Sequence, residues 1–432
     1  MKNILLCSIL LFTYATKAQF SGKMGYAYSP ANFPDNSTMT DVTDFYSEVT
    51  STLPCGPLIM WNGLWYDGLS TVGQVPVAAQ VNSNASPVPY NYEEINVFTF
   101  FHYPSLIWLT TASQPLPNDF SNTTVRDSFL VMLKTHAIQQ QPKNVFIGNE
   151  VSFYLEMDSV NYTHFRSFYN MAYDTIKFYS PATNVGTVFN YEHLSGKGAL
   201  TGWNTPHWNA LSDLDTAKLD VIGVTLYPFF NYTTADQIPS NYLDVLVQRT
   251  GNKKIVITET GWPADSTFAP APWACSETEQ VDFANALFDS IIPGKNIKSM
   301  NWLFLNYLMS DANDGYKIFR SVALKDSLGN DRAVRSVWEA KCAAVGIESN
   351  ELTQELKVYP NPATNTLYIE TKEVLNKNAT LTLLDVFGRE IKSIHALEKD
   401  ITELDLKGMA AGIYFVQLSN PEYKKTIKIV VE

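Results

Sequence analysis

The chain has 432 residues, of which 45% are hydrophobic, and its formal net charge is -12 at pH 7. This length suits one large domain followed by a smaller one, and the acidic balance argues against nucleic acid or an anionic membrane surface as a partner. All nine tryptophans lie between Trp61 and Trp338, which indicates that a domain of different composition follows.

The N-terminus has the pattern of a secretory signal peptide. A basic start at Lys2 precedes an apolar run from Ile4 to Phe12 and a small-residue exit before Gln19. The apolar run is too short to span a bilayer stably. We therefore predict a signal peptide over residues 1–18, with a buried first strand as the alternative, and no transmembrane segment.

The cysteine count limits the covalent chemistry. Cys7 falls within the signal, which leaves Cys55, Cys275 and Cys342, so at most one disulfide forms within the chain. No Cys-x-x-Cys spacing suggests a zinc site or a redox dithiol.

An oxygen-rich stretch at residues 311–315 lacks EF-hand spacing and is interpreted as a turn. We predict no metal and no cofactor.

Between about residues 23 and 345, short β-branched or apolar runs alternate with stretches of helical periodicity. The predicted strands are 23–28, 57–61, 96–102, 144–150, 184–190, 219–227, 253–259 and 298–305. The predicted helices include 125–140, 162–179, 276–292 and 332–345, and the third opens with a capping box of Ser276 and Glu279. This alternation predicts an α/β fold, a (β/α)8 TIM barrel over residues 19–347. An open doubly wound sheet is the alternative, but no Gly-x-Gly-x-x-Gly follows the first strand.

After a polar linker, predicted over residues 348–355, the pattern changes to short alternating strands. These are 356–359, 366–370, 380–385, 389–393, 403–406, 413–418 and 424–430. Seven short strands separated by turn signals predict a small all-β sandwich over residues 356–432.

Three motifs of this tail resemble the C-terminal sorting domain of the type IX secretion system. They are Val-Tyr-Pro-Asn-Pro-Ala at 358–363, Leu-Asp-Val-Phe-Gly-Arg at 384–389 and Gly-Ile-Tyr-Phe-Val at 412–416. The resemblance implies export across the outer membrane, the secretion machinery as a partner, and a secreted or cell-surface location. A carbohydrate-binding sandwich is the alternative, and it is disfavoured because the tail has no tryptophan.

Two glutamates are the candidate catalytic residues. Glu150 ends the fourth predicted strand and Glu259 ends the seventh. In a (β/α)8 barrel, catalytic groups lie at the carboxyl ends of the strands, and a facing pair of carboxylates can cleave a glycosidic bond. A single glutamate at a strand end is more often an ion-pair partner; two in this arrangement favour catalysis.

The flanking residues suit this chemistry. Asn149 can reach the sugar hydroxyl beside the reacting carbon, and the Tyr227 hydroxyl can hold Glu259 ionised by hydrogen bonding. Trp302 on the eighth strand can form the floor of the sugar site. Core packing is the alternative for all three of these residues. Further substrate-binding candidates are Trp61, Trp262 and His102; the alternative is core packing for the two tryptophans and a structural histidine for His102.

Gly-Asn-Glu-Val at 148–151 and Glu-Thr-Gly-Trp-Pro at 259–263 resemble the clan A glycoside hydrolases. The resemblance implies a retaining double displacement with Glu150 as general acid/base and Glu259 as nucleophile. Their carboxylates should lie about 5–5.5 Å apart, with a raised pKa at Glu150 and a low pKa at Glu259.

Two families of that clan are similar to this chain. Residues 226–230 and 259–263 resemble family 17, the β-1,3-glucanases, whereas Asp-Val-Ile-Gly at 220–223 resembles family 53, the endo-β-1,4-galactanases. Many clan members have an arginine after the second strand that supports the nucleophile, and residues 58–63 contain none. We predict a secreted retaining endo-β-glycosidase acting on a neutral cell-wall polysaccharide, with a β-glucan favoured. The alternatives are β-1,4-galactan as substrate, a transglycosylase, or a non-catalytic glycan-binding barrel.

Overall fold

The structure is a computed structural model of the chain. It describes residues 20, 22–33, 36–53, 55–64, 92–102, 106–107, 119–266, 271–308, 314–344, 357–370, 380–385, 390–395, 401–420 and 423–431. The chain divides into two compact units between residues 345 and 346. The predicted signal peptide (1–18) and linker (348–355) lie outside the described residues. Within those residues, no helix has both the length and the apolar character needed to cross a membrane.

Parallel strands form a closed barrel in the first unit. They are β1 (Lys23–Ala27), β2 (Pro57–Leu64), β3 (Glu93–Thr99), β4 (Asn144–Ile147), β5 (Asn184–Asn190), β6 (Val221–Leu226), β7 (Lys254–Thr260) and β8 (Ile297–Trp302). Each strand pairs with the next along the chain, and β8 closes on β1. Every residue of β4 and β6 is buried, as expected where helices cover a parallel sheet. The predicted (β/α)8 barrel is confirmed.

Helices alternate with these strands. The described α-helices are α1 (Met39–Thr52), α2 (Thr123–Gln140), α3 (Val151–Met157), α4 (Ser159–Tyr179), α5 (Tyr191–Ser195), α6 (Asn209–Ser212), α7 (Asp244–Arg249), α8 (Glu277–Ala286), α9 (Asp314–Arg320) and α10 (Ala333–Ala344). Short 3₁₀ helices span Thr216–Lys218, Pro228–Phe230 and Ala235–Gln237, and one π turn, Leu287–Ile291, extends α8.

The predicted capping box of α8 forms only in part. Ser276 accepts a hydrogen bond from the Glu279 N–H at 3.1 Å. The Glu279 carboxylate accepts instead from the Ala235 N–H at 2.9 Å. That side chain therefore ties α8 to the loop after β6, a long-range contact that the local pattern does not contain.

One disulfide joins the loop before β2 to the last helix of the barrel unit. Cys55 and Cys342 are bonded with their Cα atoms 5.3 Å apart, and Cys275 is free. The limit of one disulfide agrees with the sequence prediction. The choice of partners depends on the closure of the barrel, which brings residues 287 positions apart together.

A bulge in β7 lies beside Glu259. Val224 of β6 pairs with Ile257, whereas the next residue, Thr225, pairs with Glu259, so Thr258 is an extra residue on β7. The register between β7 and β8 shifts at the same place. A bulge bends its strand and changes the direction of nearby side chains. This bulge therefore contributes to the direction in which Glu259 leaves the sheet.

The second unit is all-β. Its strands are β9 (Lys357–Tyr359), β10 (Thr366–Glu370), β11 (Thr380–Leu384), β12 (Glu390–His395), β13 (Ile401–Asp405), β14 (Gly412–Asn420) and β15 (Tyr423–Val431). They form two antiparallel sheets, of order β9-β10-β13 and β12-β11-β14-β15. Aliphatic side chains from both sheets, such as Leu367 and Leu383, share one core, so the predicted β-sandwich is present.

The first tail motif, residues 358–363, is hydrogen-bonded to the last strand of the sandwich. The Asn361 side chain accepts a hydrogen bond from the Val430 N–H at 2.8 Å. The Ala363 N–H donates to the Val430 carbonyl, also at 2.8 Å. The motif thus fastens the turn after β9 to the last strand.

Candidate active site

Glu150 lies in a tight turn between β4 and α3, not at the strand end as predicted. β4 stops at Ile147, and Gly148 and Glu150 both have positive φ, 89° and 53°. A Cβ at Gly148 would lie 2.6 Å from Val151 and 2.7 Å from the Phe100 ring, so this position requires glycine. For a glutamate the left-handed conformation is uncommon and costs energy. The turn places a strained glutamate at the carboxyl rim of the barrel.

Two neutral donors hold the Glu150 carboxylate. Asn190, the last residue of β5, donates to Oε1 at 3.0 Å, and Thr225 of β6 donates to the same oxygen at 2.7 Å. Asn190 is itself fixed, because its amide oxygen accepts from the His193 N–H at 2.9 Å. The carboxyl group is therefore oriented by the two strands that follow its own.

Three donors hold Glu259, which is 9% exposed. The Tyr227 hydroxyl donates to Oε2 at 3.0 Å. The Asn62 amide donates to Oε1 at 3.1 Å, and the Asn149 amide reaches the same oxygen at 3.5 Å. These donors come from β2 and from the turns after β4 and β6, so Glu259 faces the inside of the barrel rim. The predicted contact between Tyr227 and Glu259 is present.

Strand β6 and the residue that follows it serve both carboxylates. Thr225 of β6 donates to Glu150, and Tyr227, directly after the strand, donates to Glu259. This short segment thus brings a hydroxyl to each glutamate.

Burial and mutual repulsion set the ionisation of the pair. Burial raises the pKa of Glu150. Burial and the charge of Glu150 raise the pKa of Glu259 to about 7, although Tyr227, Asn62 and Asn149 act to lower it. The predicted low pKa of Glu259 is therefore wrong, because desolvation outweighs the donors. Since a charge on one carboxylate disfavours ionisation of the other, the pair loses its protons in two steps. At a pH between these two steps, the pair holds one proton.

The number of donors favours Glu259 as the charged member of the pair. It accepts three hydrogen bonds where Glu150 accepts two, and hydrogen bonds to a carboxylate stabilise its ionised form. The Tyr227 hydroxyl stays protonated throughout, because burial and the Glu259 charge raise its pKa well above the usual range. It is thus a permanent donor.

Asn149 has one polar atom left for a ligand. Its amide nitrogen is committed to Glu259, while its Oδ1 is buried without a hydrogen-bond partner among the described residues. Such an atom is costly unless it is satisfied. A hydroxyl donor entering beside Glu259 would satisfy it.

A third carboxylate, Glu192 on α5, contacts the backbone of Tyr227. It is fully buried and accepts from the Tyr227 N–H at 3.0 Å and from the Tyr242 hydroxyl at 2.9 Å. Burial is the main cause that raises its pKa to about 8. Glu192 therefore fixes the backbone of the tyrosine that orients Glu259. Sequence reasoning missed it.

Two predicted aromatic platforms are fully buried. Trp302 is fully buried, packs against Trp338 of α10 and Phe283 of α8, and donates to the Val322 carbonyl at 2.7 Å. Trp262 is also fully buried, and its ring nitrogen donates to the Ala274 carbonyl at 2.8 Å. Both belong to the packing between sheet and helices and have no surface for a sugar. Their assignment to substrate binding is wrong.

Trp61 is also misplaced by the sequence prediction. Its ring meets Phe98, which in turn meets His136 of α2, so it faces the helix layer. Its neighbour Asn62 points the other way and reaches Glu259, as alternation along β2 requires. Asn62 thus donates to Glu259 from the second strand, where the expected arginine is missing.

The remaining predicted site residue, His102, lies in a two-residue strand, Phe101–His102, that pairs with Leu106–Ile107 outside the barrel sheet. Its side chain lies outside the described part of the structure.

Sequence reasoning also missed Asn190, Thr225 and Trp203. The position of Asn190 and Thr225 at or near the end of a predicted strand could have identified both as residues of the barrel rim. Trp203 follows β5, is half-buried and packs against Phe153 and Phe230. It lies in a loop, so no strand pattern indicated it.

Family comparisons identify both units. Residues 93–282 match the family model for glycosyl hydrolase family 53, a range that contains both glutamates. The barrel is thus similar to the glycoside hydrolases of family 53 over most of its length. We accordingly assign it as a retaining glycosidase of clan A. The match supports the resemblance to family 53 and gives no support to the resemblance to family 17.

The tail is identified in the same way. Residues 357–432 match the secretion system C-terminal sorting domain. The second unit is thus a type IX sorting domain, which marks the protein for export to the cell surface or the medium.

Solved structures share the fold of the barrel. One is a GH5_18 variant from Bifidobacterium longum in complex with Manb1-4GlcNAc, at 13% identity and a TM-score of 0.55, with 79% of this chain and 81% of that chain covered. Another is its counterpart from Streptomyces cattleya, at 13% identity and a TM-score of 0.54, with 80% and 84% covered. At these identities the likeness concerns the fold alone.

The chain is shorter than some of the proteins that it resembles. It covers 46% of a Bacteroides uniformis β-glucuronidase 2 chain, with 95% of this chain aligned, 11% identity and a TM-score of 0.48. Among curated proteins, none matches this chain.

Proposed function

We propose that this protein is a secreted endo-β-glycosidase that hydrolyses β-1,4-galactan by a retaining mechanism. The observation that carries the proposal is the pair of Glu150, which is half-buried, and Glu259, which is buried. Neutral donors hold both carboxylates at one rim of the barrel that matches family 53. Such a pair is the equipment that glycoside hydrolysis needs.

In the first step Glu259 is the nucleophile. Its carboxylate oxygen bonds to the anomeric carbon as the bond to the leaving oxygen breaks, and Glu150 gives its proton to that oxygen. The three donors on Glu259 keep its charge in place, and the raised pKa of Glu150 keeps the proton available. We expect the carboxylates to lie about 5–5.5 Å apart, which leaves no room for a water between them.

In the second step water releases the sugar. Glu150, now ionised, takes a proton from the water, whose oxygen bonds to the anomeric carbon while the bond to Glu259 breaks. Two inversions restore the β configuration, and both glutamates return to their starting state. The orientation of Glu150 by Asn190 and Thr225 serves both proton transfers.

Asn149 would bind the hydroxyl next to the reacting carbon. Its unpartnered Oδ1 accepts that hydroxyl proton while its amide nitrogen stays on Glu259. Hydrogen bonds at this hydroxyl strengthen as positive charge develops on the sugar. Trp203, which is half-buried in the segment after β5, offers an aromatic face on which a sugar ring could stack.

The substrate class follows from the family and from charge. The family 53 resemblance points to endo-β-1,4-galactanases, and a protein of net charge -12 suits a neutral polymer. A β-1,3-glucan is the second candidate, because the segments at 226–230 and 259–263 resemble family 17.

The first test is cleavage by the full chain of β-1,4-galactan, laminarin and lichenan. We expect internal cleavage of galactan, and Glu150→Gln and Glu259→Gln should each reduce it about 10⁴-fold or more. Glu403→Gln, exposed on a sandwich strand, is the control. Cleavage of laminarin but not galactan would reverse the substrate assignment, and near-wild-type activity in either rim variant would refute the catalytic one.

Two further measurements separate the roles and the rival classes. An aryl glycoside with a good leaving group needs little acid help, so Glu150→Gln should retain its first step whereas Glu259→Gln should not. Proton NMR of the first product should show the β-anomer. Long products formed from short ones would indicate a transglycosylase, and binding without any cleavage would indicate a glycan-binding barrel.

We also propose that the sorting domain engages the type IX machinery. The Asn361 and Ala363 contacts to Val430 hold the first motif in one conformation. In a host with this system, Asn361→Ala should lower the fraction of protein that reaches the surface or medium, measured by immunoblot. Unchanged export would contradict a role for this turn.

A further inference from the structure

His193 connects the two helices that follow Glu150 and its donor Asn190. Helix α3 begins directly after Glu150, and α5 begins directly after Asn190. His193 lies on α5 and is 1% exposed, and its Nε2 atom is 2.9 Å from Oε2 of Glu156 on α3. The helix after the acid/base and the helix after its donor are thus joined by a second contact, which the catalytic steps above do not use.

The imidazole of His193 also packs against two other rings. The Phe153 ring of α3 lies 4.0 Å away, and the His207 ring stacks at 4.2 Å and 9°. Phe153 and Glu156 are three residues apart on α3, a spacing that places side chains on the same side of a helix. Helix α3 therefore holds the imidazole in two ways, by a ring contact and by a hydrogen bond.

The protonation of His193 fits this hydrogen bond. Burial and the neighbouring His207 lower the pKa of His193 to about 4, so at neutral pH the ring is neutral and has one N–H. Its Nδ1 atom is buried with no hydrogen-bond partner among the described residues. Because the carboxylate of Glu156 can only accept a hydrogen bond, the proton lies on Nε2, and His193 donates to Glu156.

Hydrogen bonds continue from His193 to the acid/base. The His193 backbone N–H donates to Oδ1 of Asn190 at 2.9 Å, and the Asn190 amide donates to Oε1 of Glu150 at 3.0 Å. The chain itself returns from Glu150 through α3 to Glu156. These contacts form a closed ring, so a shift of α3 relative to α5 would change the hydrogen bond between Asn190 and Glu150.

The backbone at Glu150 gives this ring something to hold. Glu150 has a φ of 53°, in the left-handed region that is unfavourable for a glutamate. Such a conformation persists only where the surrounding structure fixes it. A displacement of about 1 Å at a catalytic group can cost about 10²-fold in rate, so a contact that fixes this turn has a direct bearing on proton transfer.

We propose that Glu156 and His193 are positioning residues that aim the Glu150 proton at the leaving oxygen, and that they act through Asn190. The proposal rests on the proposed acid/base role of Glu150. Glu156 is exposed, so its replacement leaves the buried core of the barrel intact.

The test compares substrates whose leaving groups need different amounts of acid help. The substrates are aryl β-galactobiosides, or aryl laminaribiosides if laminarin is the polymer cleaved, with phenols from weakly to strongly acidic. Glu156→Ala in the full chain should lower kcat/KM about 10-fold for the least acidic phenol and less than about twofold for the most acidic one. Glu156→Gln should stay within about twofold of wild type throughout, because its amide oxygen accepts the same hydrogen bond. Asp127→Ala, which removes an exposed carboxylate from α2, is the control and should change nothing.

A double variant tests the route through Asn190. Members of one hydrogen-bond network are not additive, so adding Glu156→Ala to Asn190→Ala should lower kcat/KM by less than about a further twofold. Additive losses would overturn this route. An equal loss on all phenols in Glu156→Ala, or no loss, would overturn the positioning role, provided that Glu150→Gln shows the dependence on the phenol. If Glu150→Gln itself lacks that dependence, the acid role is refuted, and the positioning role with it.

Discussion

The barrel rim and the sandwich core use burial in opposite ways. The sandwich core consists of aliphatic side chains such as Leu367, Leu383 and Val416. The barrel rim buries carboxylates, amides and hydroxyls, and burial raises the pKa of Glu150, Glu192 and Glu259. Burying a carboxylate costs free energy, whereas burying an aliphatic side chain does not. The difference separates a region built for stability from one built for chemistry.

The substitution with the greatest predicted loss of stability lies in the core of the sandwich. Leu383 is 1% exposed, so Leu383→Ala should cost about 2–5 kcal/mol of sandwich stability by removing packed methyl groups. Limited proteolysis should then cut within residues 357–431, while kcat/KM of the full chain stays unchanged. Ile401→Ala, at an exposed position, is the control. A fall in kcat/KM would contradict the division of tasks.

The next effect concerns the barrel's covalent link. Cys55→Ser and Cys342→Ser should each lower the stability of the barrel by about 2–4 kcal/mol, because the open chain gains entropy when unfolded. The loss should appear as a lower Tm in calorimetry. Cys275 forms no disulfide, so Cys275→Ser should leave Tm nearly unchanged. An equal drop in Tm for Cys275→Ser would mean that lost packing, and not the lost disulfide, lowers the stability.

Tyr227→Phe sharpens the chemical side of the comparison. It removes a donor to Glu259 worth about 1.5–3 kcal/mol, so kcat/KM should fall about 10–100-fold. Because this donor lowers the pKa of Glu259, the acid limb of the pH–rate profile should move to higher pH. Tyr173→Phe, whose hydroxyl meets Asp220 away from the rim, is the matched control. An unmoved acid limb would refute the role of Tyr227.

Glu192→Gln has the smallest expected effect, and it depends on pH. The pKa of Glu192 is about 8 in the folded chain against an ordinary 4.5. Between these values the folded state binds more protons than the unfolded state, so its stability falls as pH rises. Glutamine mimics the protonated acid. The variant should match wild type at pH 5 and exceed it by about 1–3 kcal/mol at pH 9 in urea unfolding. Identical pH dependence would mean that Glu192 does not titrate in this range.

The order of the barrel strands and the positions of both glutamates could be predicted from the amino-acid sequence alone. Local apolar runs located all of the barrel strands, since β propensity and burial act over a few residues. The motifs at Glu150 and Glu259 were visible because the residues around a turn or a strand end are contiguous in the chain. The sorting motifs were visible for the same reason.

Which side chains meet depends on the three-dimensional packing of the strands. Asn62 reaches Glu259 and Trp61 does not, because neighbouring residues of a strand face opposite sides. The bulge at Thr258 changes the direction of β7 near Glu259, and a bulge depends on pairing with neighbouring strands. Cys342 meets Cys55 only when the barrel closes. The direction of a side chain, the register of a strand and the closure of the barrel all depend on how strands pair. Residues that are distant in the chain decide this pairing, so a short stretch of sequence does not reveal it.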